Sequence, residues 1–289
     1  MRKLTQGLTH KMSTSKKINK EIFFGSSILG LYLFWAIGWF VYSYFIGGSF
    51  DEPFFPRSNI STELISPFSE GYFLGTDLYG RSLFQVLSAG LCYSLGIGLT
   101  ISFFSAGIGI TIGYLSAVGP KFLRSFCDLT TNLIFIFPSI LIAILVMSVS
   151  GQSFWGLVFA LVVTGWPGYA RISRGETLRV MSLTYVESAK AVGVGPFRLF
   201  AKIVLPAILP FLLVHIVLGI SGVIISEASL GFLGLGGSEY SWGALLSNAK
   251  TVLLEAPFMG IVLSLSMAGL IIGLNLCGDG LRDYFDPKS

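Results

Sequence analysis

The stretch LTTNLIFIFPSILIAILVMSVSGQSFWGLVFALVVTGWPGYA, residues 129–170, runs for 42 residues without a charged side chain. A charge at the centre of a bilayer costs roughly 2.5–3.5 kcal/mol, and about 20 apolar residues suffice for one transmembrane helix. The stretch is therefore long enough for two spans, with the polar sequence SVSGQS, residues 148–153, as the turn between them. Pro138 is predicted to kink the first of these two helices.

Further uncharged stretches lie on both sides, at residues 22–50, 82–120, 203–226 and 256–278. The chain is 53% hydrophobic and only 12% charged, against about 25% in soluble domains. These observations predict an all-α polytopic membrane protein. Six transmembrane helices are expected, near residues 24–46, 90–118, 131–149, 153–170, 207–226 and 258–277.

The positions of lysine and arginine predict the orientation of the chain. Residues 1–20 contain six of them and no acid. With this end in the cytoplasm, 16 of the 19 basic residues lie inside and only Arg57, Arg81 and Lys250 lie outside. This positive-inside bias predicts that both termini are cytoplasmic. Residues 171–206 then form a cytoplasmic loop between the fourth and fifth spans.

The predicted organisation has five parts. They are a basic cytoplasmic segment (1–20), a first transmembrane helix that serves as signal-anchor (21–50), an extracytoplasmic loop (51–86), a five-helix core (87–279) and a cytoplasmic tail (280–289). Cys92, Cys127 and Cys277 are far apart and have no Cys/His spacing, so neither a metal site nor a disulfide is expected. The basic residues are not interleaved with aromatic ones on a polar face, which argues against nucleic-acid binding.

The cytoplasmic loop contains the sequence YVESAKAVGVGPFRLFAKIVLP, residues 185–206. Good helix formers precede Gly193 and Gly195, each of which costs about 1 kcal/mol inside a helix, and Pro196 suits the first position of a new helix. The loop is therefore predicted to contain two short helices with a sharp turn. The residues alone leave two interpretations about equal: an amphipathic pair on anionic lipid, or a docking element for a cytoplasmic protein.

This loop resembles the E-A-A-x-x-x-G-x(9)-I-x-L-P motif of ABC importer permeases. The matching residues are Glu187, Ala189, Gly193, Ile203, Leu205 and Pro206, with Ser188 in place of the first Ala. In that family the loop is a coupling helix that docks on the ATPase subunit. The resemblance implies ATPase coupling by Glu187, Ser188, Ala189, Ala191, Gly193, Leu205 and Pro206.

Three further stretches resemble the dipeptide/oligopeptide/nickel branch of that family. They are FLGTDLYGRSLFQVLSAG (73–90), SEASLGFLGLG with SWG (226–236 and 241–243), and NLCGDGLRDYFDPK (275–288). Ser82 stands where the branch usually has Asp. The resemblance covers about residues 70–289. It implies the ABC importer permease fold and a multi-pass permease subunit of a prokaryotic plasma (inner) membrane, which is not itself an enzyme.

The resemblance also implies partners. They are the lipid bilayer, a second permease subunit, two ATP-binding cassette subunits and an extracytoplasmic solute-binding protein. ATP and Mg²⁺ would be bound by the ATPases, so no cofactor is expected in this chain. The cargo would be a dipeptide, an oligopeptide or a related small solute such as a nickel chelate. A stand-alone channel or secondary carrier is the alternative, although the spans lack the paired charges of ion-coupled carriers.

Several single residues are candidates with two interpretations each. Glu227 follows 24 uncharged residues and either lines the translocation path or has a structural hydrogen-bonding role. Asp77 and Arg81 either form a local salt bridge at a helix start or contact the binding protein. His215, in the middle of the fifth span, is interpreted as a satisfied buried histidine or as a proton relay.

Small residues form a stripe along the predicted second span. They are Gly98, Ser102, Ala106, Gly109 and Gly113. Such spacing permits close helix packing, either within the subunit or across a pair of permeases.

Overall fold

The computed structural model describes residues 20–47 and 58–285, and within these ranges it is helical and contains no β-strand. The α-helices are α1 (Lys20–Gly47), α2 (Leu83–Val118), α3 (Lys121–Ile136), α4 (Ser139–Ser150), α5 (Phe154–Met181), α6 (Thr184–Ala191), α7 (Pro196–Leu199), α8 (Leu205–Phe232), α9 (Trp242–Thr251) and α10 (Pro257–Phe285). A π-helical turn, Phe200–Val204, joins α7 to α8. The predicted basic segment before Lys20, the first part of the extracytoplasmic loop and the last four residues lie outside the described residues.

Four helical units in the described ranges are long and apolar enough to cross a membrane: α1, α2, the joined α7 and α8, and α10. The pair α3 and α4 is a fifth candidate. The second half of α5 carries four charges, Arg171, Arg174, Glu176 and Arg179. The all-helical membrane architecture is therefore confirmed, whereas the number of six spans stays a prediction.

The prediction that the third span, residues 131–149, is a single helix is wrong. The structure instead has α3 and α4 meeting at 91°. Pro138 explains the break, because proline lacks an N–H and disfavours helical geometry in the residue before it. Phe137 accordingly is extended, with φ −96° and ψ 141°.

The first part of the predicted cytoplasmic loop is helical. Residues 171–181 continue α5 as regular helix, and their side of the membrane stays a prediction. The exposed face of this segment carries an ion pair between Arg179 and Glu176, with Nη2 and Oε2 2.7 Å apart. Such i, i+3 pairs stabilise a helix by about 0.2–0.5 kcal/mol in water, so the charged residues that follow the apolar stretch do not interrupt α5.

The stripe of small residues in α2 packs within the subunit. A Cβ on Gly109 would lie 2.5 Å from Cβ of Tyr169, and one on Gly113 would lie 2.5 Å from the carbonyl oxygen of Ala170. Both positions therefore require glycine for the close approach of α2 and α5. On the other side of the molecule, α1 packs on α10, where the Tyr32 hydroxyl donates to the carbonyl of Ser266 at 2.7 Å.

Candidate functional site

Residues 184–204, which we call the cytoplasmic knob after their predicted side of the membrane, contain α6, α7 and the π-helical turn. Gly193 ends α6 with a φ of +86°. The N–H of Val194 donates to the carbonyl of Ala189 at 3.1 Å, and the N–H of Gly193 donates to that of Lys190 at 2.9 Å. This pair of bonds is the Schellman C-cap, which favours glycine because its left-handed backbone strains other residues.

The inner face of the knob is apolar. Its most buried side chains are those of Val186, Leu199 and Val204. The Tyr114 ring of α2 lies 4.4 Å from the Phe200 ring, and its hydroxyl donates to the carbonyl of Pro196 at 3.1 Å. The knob is thus fixed to α2 and α5 by packing on one side only.

The outer face of the knob is exposed and contains most of the predicted coupling residues. Within the knob, Glu187, Ser188, Ala191 and Gly193 are exposed and Ala189 is half-buried. Just after the knob, at the start of α8, Leu205 is half-buried and Pro206 is exposed. Val192 and Phe197 beside them are 85% and 79% exposed. Two short helices and a turn lie where the sequence predicts them, and the exposed face mixes small, apolar and charged side chains.

Residues 58–82, which we call the outer loop, precede α2 and are held by Asp77. Its Oδ1 accepts hydrogen bonds from the N–H groups of Tyr79 at 3.0 Å and Arg81 at 2.8 Å. Its Oδ2 accepts from Nε of Arg81 at 2.7 Å and lies 2.6 Å from Nη2. Asp77 is fully buried and Arg81 is only 9% exposed. The salt-bridge interpretation is therefore seen in the structure, and a direct contact of these residues with a binding protein stays a prediction.

Other residues of the same motif also stabilise the fold of the outer loop. The Thr76 hydroxyl donates to the carbonyl of Thr62 at 2.6 Å and accepts from the N–H of Ile65 at 2.8 Å. Gly75 and Gly80 have φ of +80° and +71°, and a Cβ at either position would overlap a carbonyl oxygen of the facing chain. The sequence LGTDLYGR therefore folds residues 58–65 onto the start of α2.

A cleft of about 440 Å³ lies between α2, α4, α5 and α8. Its lining consists of glycines, hydroxyl-bearing side chains, a few aliphatic side chains and one imidazole. The residues are Ser105, Ser139, Leu161, Thr164, Gly165, Gly168, Tyr169, Ile172, His215, Leu218, Gly219, Gly222, Val223 and Ser226. Among the residues that the structure describes, no carboxylate, ammonium or guanidinium group lines this cleft.

Two of the sequence stretches that carry the family resemblance, 73–90 and 241–243, are in direct contact. The Trp242 indole donates to the carbonyl of Leu87 at 3.0 Å, and a Cβ on Gly90 would lie 2.6 Å from its ring. Farther along α8 towards its N-terminus, the Ser221 hydroxyl donates to Oδ1 of Asn275 at 2.8 Å, which joins α8 to the last motif in α10. The motif before α2 and the motif after α8 are thus in direct contact, and α8 itself is bonded to the last motif.

Comparison with known proteins agrees with this arrangement. Residues 109–289 match the family model described as "Binding-protein-dependent transport system inner membrane component". The chain belongs to this family of ABC importer permeases. The permease is 34% identical over 226 residues to the glutathione transport system permease protein GsiD of Pectobacterium atrosepticum, covering 76% of this chain and 74% of that protein. It is also 34% identical over 223 residues to the GsiD protein of Shigella flexneri, covering 75% and 72%.

Solved structures show the same fold. The permease aligns with a chain of the inward-facing MetNI methionine ABC transporter at a TM-score of 0.59 and 20% identity, covering 70% of this chain and 97% of that one. It aligns with an amino acid ABC transporter with histidines at a TM-score of 0.53 and 13% identity, covering 69% and 92%. The family match and the GsiD relatives show that the protein is a permease subunit of an importer, from a family that is not itself catalytic.

Glu227 of the permease is fully buried near the predicted outer end of α8. Its Oε2 accepts a hydrogen bond from the Ser94 hydroxyl of α2 at 3.3 Å, and within the described residues Oε1 has no hydrogen-bond partner. It does not line the cleft between α2, α4, α5 and α8. The structural role is supported by this bond, and a role in the translocation path stays a prediction.

Sequence reasoning missed a polar cluster that joins three helices of the permease. Asp128 of α3 accepts a hydrogen bond from the Ser116 hydroxyl of α2, and its Oδ2 lies 3.3 Å from Nη2 of Arg174 in α5. Asp128 is the acid immediately before the uncharged stretch, and Arg174 follows shortly after it. Their positions at the two ends of this stretch were the signal, since two adjacent antiparallel spans bring such ends together.

Proposed function

We propose that the permease is one of two membrane subunits of an ATP-driven importer for dipeptides, oligopeptides or a related small solute, such as glutathione or a nickel chelate. It lies in a prokaryotic plasma (inner) membrane. An extracytoplasmic solute-binding protein delivers the cargo, and two ATPase subunits, which bind ATP and Mg²⁺, drive transport. The single observation that carries the coupling role is the exposed face of the cytoplasmic knob.

The proposed topology has six spans and cytoplasmic termini. The bent α3 and α4 together form the third span, and the uncharged first part of α5, residues 154–170, forms the fourth. The charged end of α5, which carries Arg171, Arg174 and Arg179, then extends into the cytoplasm together with the knob. The 16 basic residues on this side support the orientation.

The shape of the knob supports docking on a protein. Its inner face is held by buried apolar side chains, so the exposed helix α6 is presented in a fixed orientation. A lipid-bound amphipathic pair would need its apolar residues on one common face. Here Val186 and Leu199 face the protein, whereas Val192, the C-cap residue of α6, is 85% exposed. This distribution favours an ATPase groove over a lipid surface.

The cargo class rests on similarity. GsiD, at 34% identity, is a permease of a glutathione transport system. Glutathione is a small peptide, and peptides are the cargo expected for this branch. Binding of the solute-binding protein is proposed for the exposed side of the outer loop, whose shape Asp77 and Arg81 maintain.

The coupling role is tested by replacing Glu187 and Gly193 with alanine together. We expect the variant permease to reach the membrane in normal amount but to lose most of its co-purification with the ATPase subunits and most ATP-dependent uptake. A matched control replaces Glu255 and Gly234, which are also an exposed acid and an exposed glycine with positive φ (+77°) but lie on the predicted outer side.

Two outcomes would contradict the proposal. Unchanged uptake by the Glu187 and Gly193 variant, or an equal loss in the control, removes the coupling assignment. Downhill movement of solute through the purified permease without any ATPase would favour the stand-alone channel or carrier.

A further inference from the structure

We propose that a surface shared by α3 and α5 binds an anionic phospholipid of the cytoplasmic leaflet. The surface, which we call the basic surface, consists of Lys121 and Arg124 of α3 and of Arg171 and Arg174 of α5. The inference rests on the proposed function for one point, the side of the membrane on which these parts of the helices lie. Neither cargo transport nor ATPase coupling requires such a ligand.

Two contacts place α3 and α5 side by side. The Nη2 of Arg174 lies 3.3 Å from Oδ2 of Asp128, and Cζ of Arg171 lies 4.1 Å from the centroid of the Phe135 ring. From the first contact to the second, the chain advances along α3 and goes back along α5. The two helices are therefore antiparallel here, and their charged parts lie at the same level.

Two further basic residues continue this surface towards the start of α3. Arg124 precedes Asp128 by four residues and Lys121 precedes it by seven, so the three share one face of the helix. Arg171 and Arg174 are three residues apart and share one face of α5 in the same way. Four cations thus accompany one carboxylate, and the surface has an excess of positive charge.

The cations of the basic surface are accessible to a ligand. Lys121, Arg124 and Arg171 are exposed, and the side chain of Arg174 is 41% exposed. Within the described residues, neither Arg124 nor Arg171 forms an ion pair with a carboxylate. Arg124 donates a hydrogen bond of 3.4 Å to the carbonyl of Gly119, which leaves most of its N–H groups for a phosphate.

The basic surface lies where charged residues give way to apolar ones. Residues 129–170 contain no charged side chain, so Asp128 and Arg171 mark this boundary on the two helices. Next to its basic face, α3 has a second exposed face of apolar side chains at helical spacing. They are Phe122, Phe126, Leu129, Leu133 and Ile136. A phospholipid fits both faces, because its phosphate reaches the cations while its acyl chains cover the apolar side chains.

Other ligands fit the two faces less well. Free phosphate would bind the cations but leave the apolar face of α3 uncovered. A cytosolic protein would not reach Leu129 and Leu133, which lie on the bilayer side of the boundary. A zwitterionic lipid would bring its own cation next to the excess positive charge. The remaining acid in this part of α5, Glu176, is paired with Arg179 and does not remove that excess.

The first experiment measures binding of labelled phosphatidylglycerol to the purified complete importer in mixed micelles, compared with equally labelled phosphatidylcholine. We expect the wild type to prefer phosphatidylglycerol. Each basic residue near an anionic lipid contributes about fivefold, so Arg124→Gln combined with Arg171→Gln should weaken this binding by at least about tenfold and leave phosphatidylcholine binding unchanged. Arg124→Lys combined with Arg171→Lys keeps both charges and should retain most of the binding.

The matched control combines Lys20→Gln with Arg282→Gln. Both cations are exposed, and they lie at the predicted cytoplasmic ends of α1 and α10, which pack together. This control removes the same charge on the same side of the membrane. It should bind phosphatidylglycerol like the wild type, because acids are close to these cations in the sequence. They are Glu21, Asp279 and Asp283.

The second experiment locates the lipid with photoactivatable phosphatidylglycerol. We expect cross-links within residues 121–136 and 171–181 that an excess of inorganic phosphate does not displace. Cross-links confined to other segments would overturn the site, and displacement by inorganic phosphate would show that the surface binds free phosphate. Loss of ATPase co-purification in the glutamine variant, with unchanged phosphatidylglycerol binding, would assign the surface to the ATPase instead.

The remaining outcomes separate this inference from the proposed function. Equal binding of both lipids by the wild type, or equal phosphatidylglycerol binding by the glutamine variant and the control, overturns the inference even if the importer transports peptide. A wild-type complex that binds phosphatidylglycerol at this surface but takes up no peptide with ATP supports the inference, and in that case it is the proposed function that fails.

Discussion

In the outer loop Asp77 and Arg81 are buried and bonded to each other, whereas in the cytoplasmic knob Glu187 and Gly193 are exposed. Both segments lie at the ends of long apolar helices, and both carry residues of a recognisable motif. In the outer loop the motif residues themselves produce the fold of the segment. In the knob the fold is produced largely by other residues, and most motif residues remain available at the surface.

The two segments are also stabilised by different forces. The outer loop is held by hydrogen bonds from side chains to backbone and by one buried ion pair. The knob is held by apolar burial of Val186, Leu199 and Val204 and by a glycine C-cap. A motif charge is therefore not evidence of a contact surface until its burial is known. The predictions that follow separate these two uses of motif residues.

The largest effect is expected for Asp77→Ala. The change leaves Arg81 buried without the Asp77 carboxylate and removes the acceptor of two backbone N–H groups, which should lower the free energy of unfolding by about 3–5 kcal/mol. Thermal unfolding of the purified permease in detergent measures it. The control is Glu63→Ala, because Glu63 is an exposed acid in the same loop. Equal melting temperatures for the two variants would contradict the inference that the motif charges of the outer loop, unlike those of the knob, stabilise the fold.

The second prediction compares two glycines with positive φ. Gly80→Ala places a Cβ against the carbonyl oxygen of Asn59 and should cost roughly 3 kcal/mol or more, because strain and overlap add. At Gly193 a Cβ meets nothing within 4 Å, so Gly193→Ala should cost only the backbone strain of about 1–2 kcal/mol.

The readouts of these two glycine variants should differ as well. Gly80→Ala should lower the melting temperature of the permease more, and Gly193→Ala should lower co-purification of the ATPase more. A larger melting shift for Gly193→Ala would show that the knob, too, is a stability element.

Local features of the knob were predictable from the sequence. Gly193 as the end of α6 and Pro196 as the start of α7 follow from backbone preferences of single residues, and the structure places both helices there. The class of the fold followed from the uncharged stretches. These predictions succeed because they depend on neighbours in the chain.

Features that depend on distant contacts were not predictable. Pro138 predicts a bend but not the angle of 91°, which is set by what α3 and α4 pack against. The burial of Asp77 depends on residues 58–65 folding over it. The cleft was missed although Gly165 and Gly168 have helical spacing, because a stripe of small residues does not tell whether it faces a helix or a space.

The third prediction uses one substitution at two positions of the knob. Val186 is fully buried and Val192 is 85% exposed. Val186→Ala should lower the free energy of unfolding by about 2 kcal/mol through lost burial, and Val192→Ala should change it by less than about 0.5 kcal/mol. Co-purification of the ATPase subunits, measured per amount of folded permease, should fall more for Val192→Ala than for Val186→Ala, since Val192 lies on the proposed docking face. Loss of ATPase binding only in Val186→Ala would place the contact elsewhere.

The smallest effect is expected for Ser82→Asp, at the junction of the outer loop and α2. Ser82 is the N-cap of α2 but makes no side-chain capping bond. An aspartate there would accept from a free N–H group and lie at the positive end of the helix dipole, which should raise the free energy of unfolding by about 0.5 kcal/mol. Asp77 is close in sequence, but Arg81 already neutralises it, so repulsion should not cancel the gain.

The comparison is with Ser153→Asp, because Ser153 caps α5 by accepting from the N–H of Gly156 at 3.1 Å and has less to gain. A lower melting temperature for Ser82→Asp would mean that the charge of Asp77 is not fully compensated, so that the outer loop is stabilised less by its ion pair than by the hydrogen bonds to its backbone.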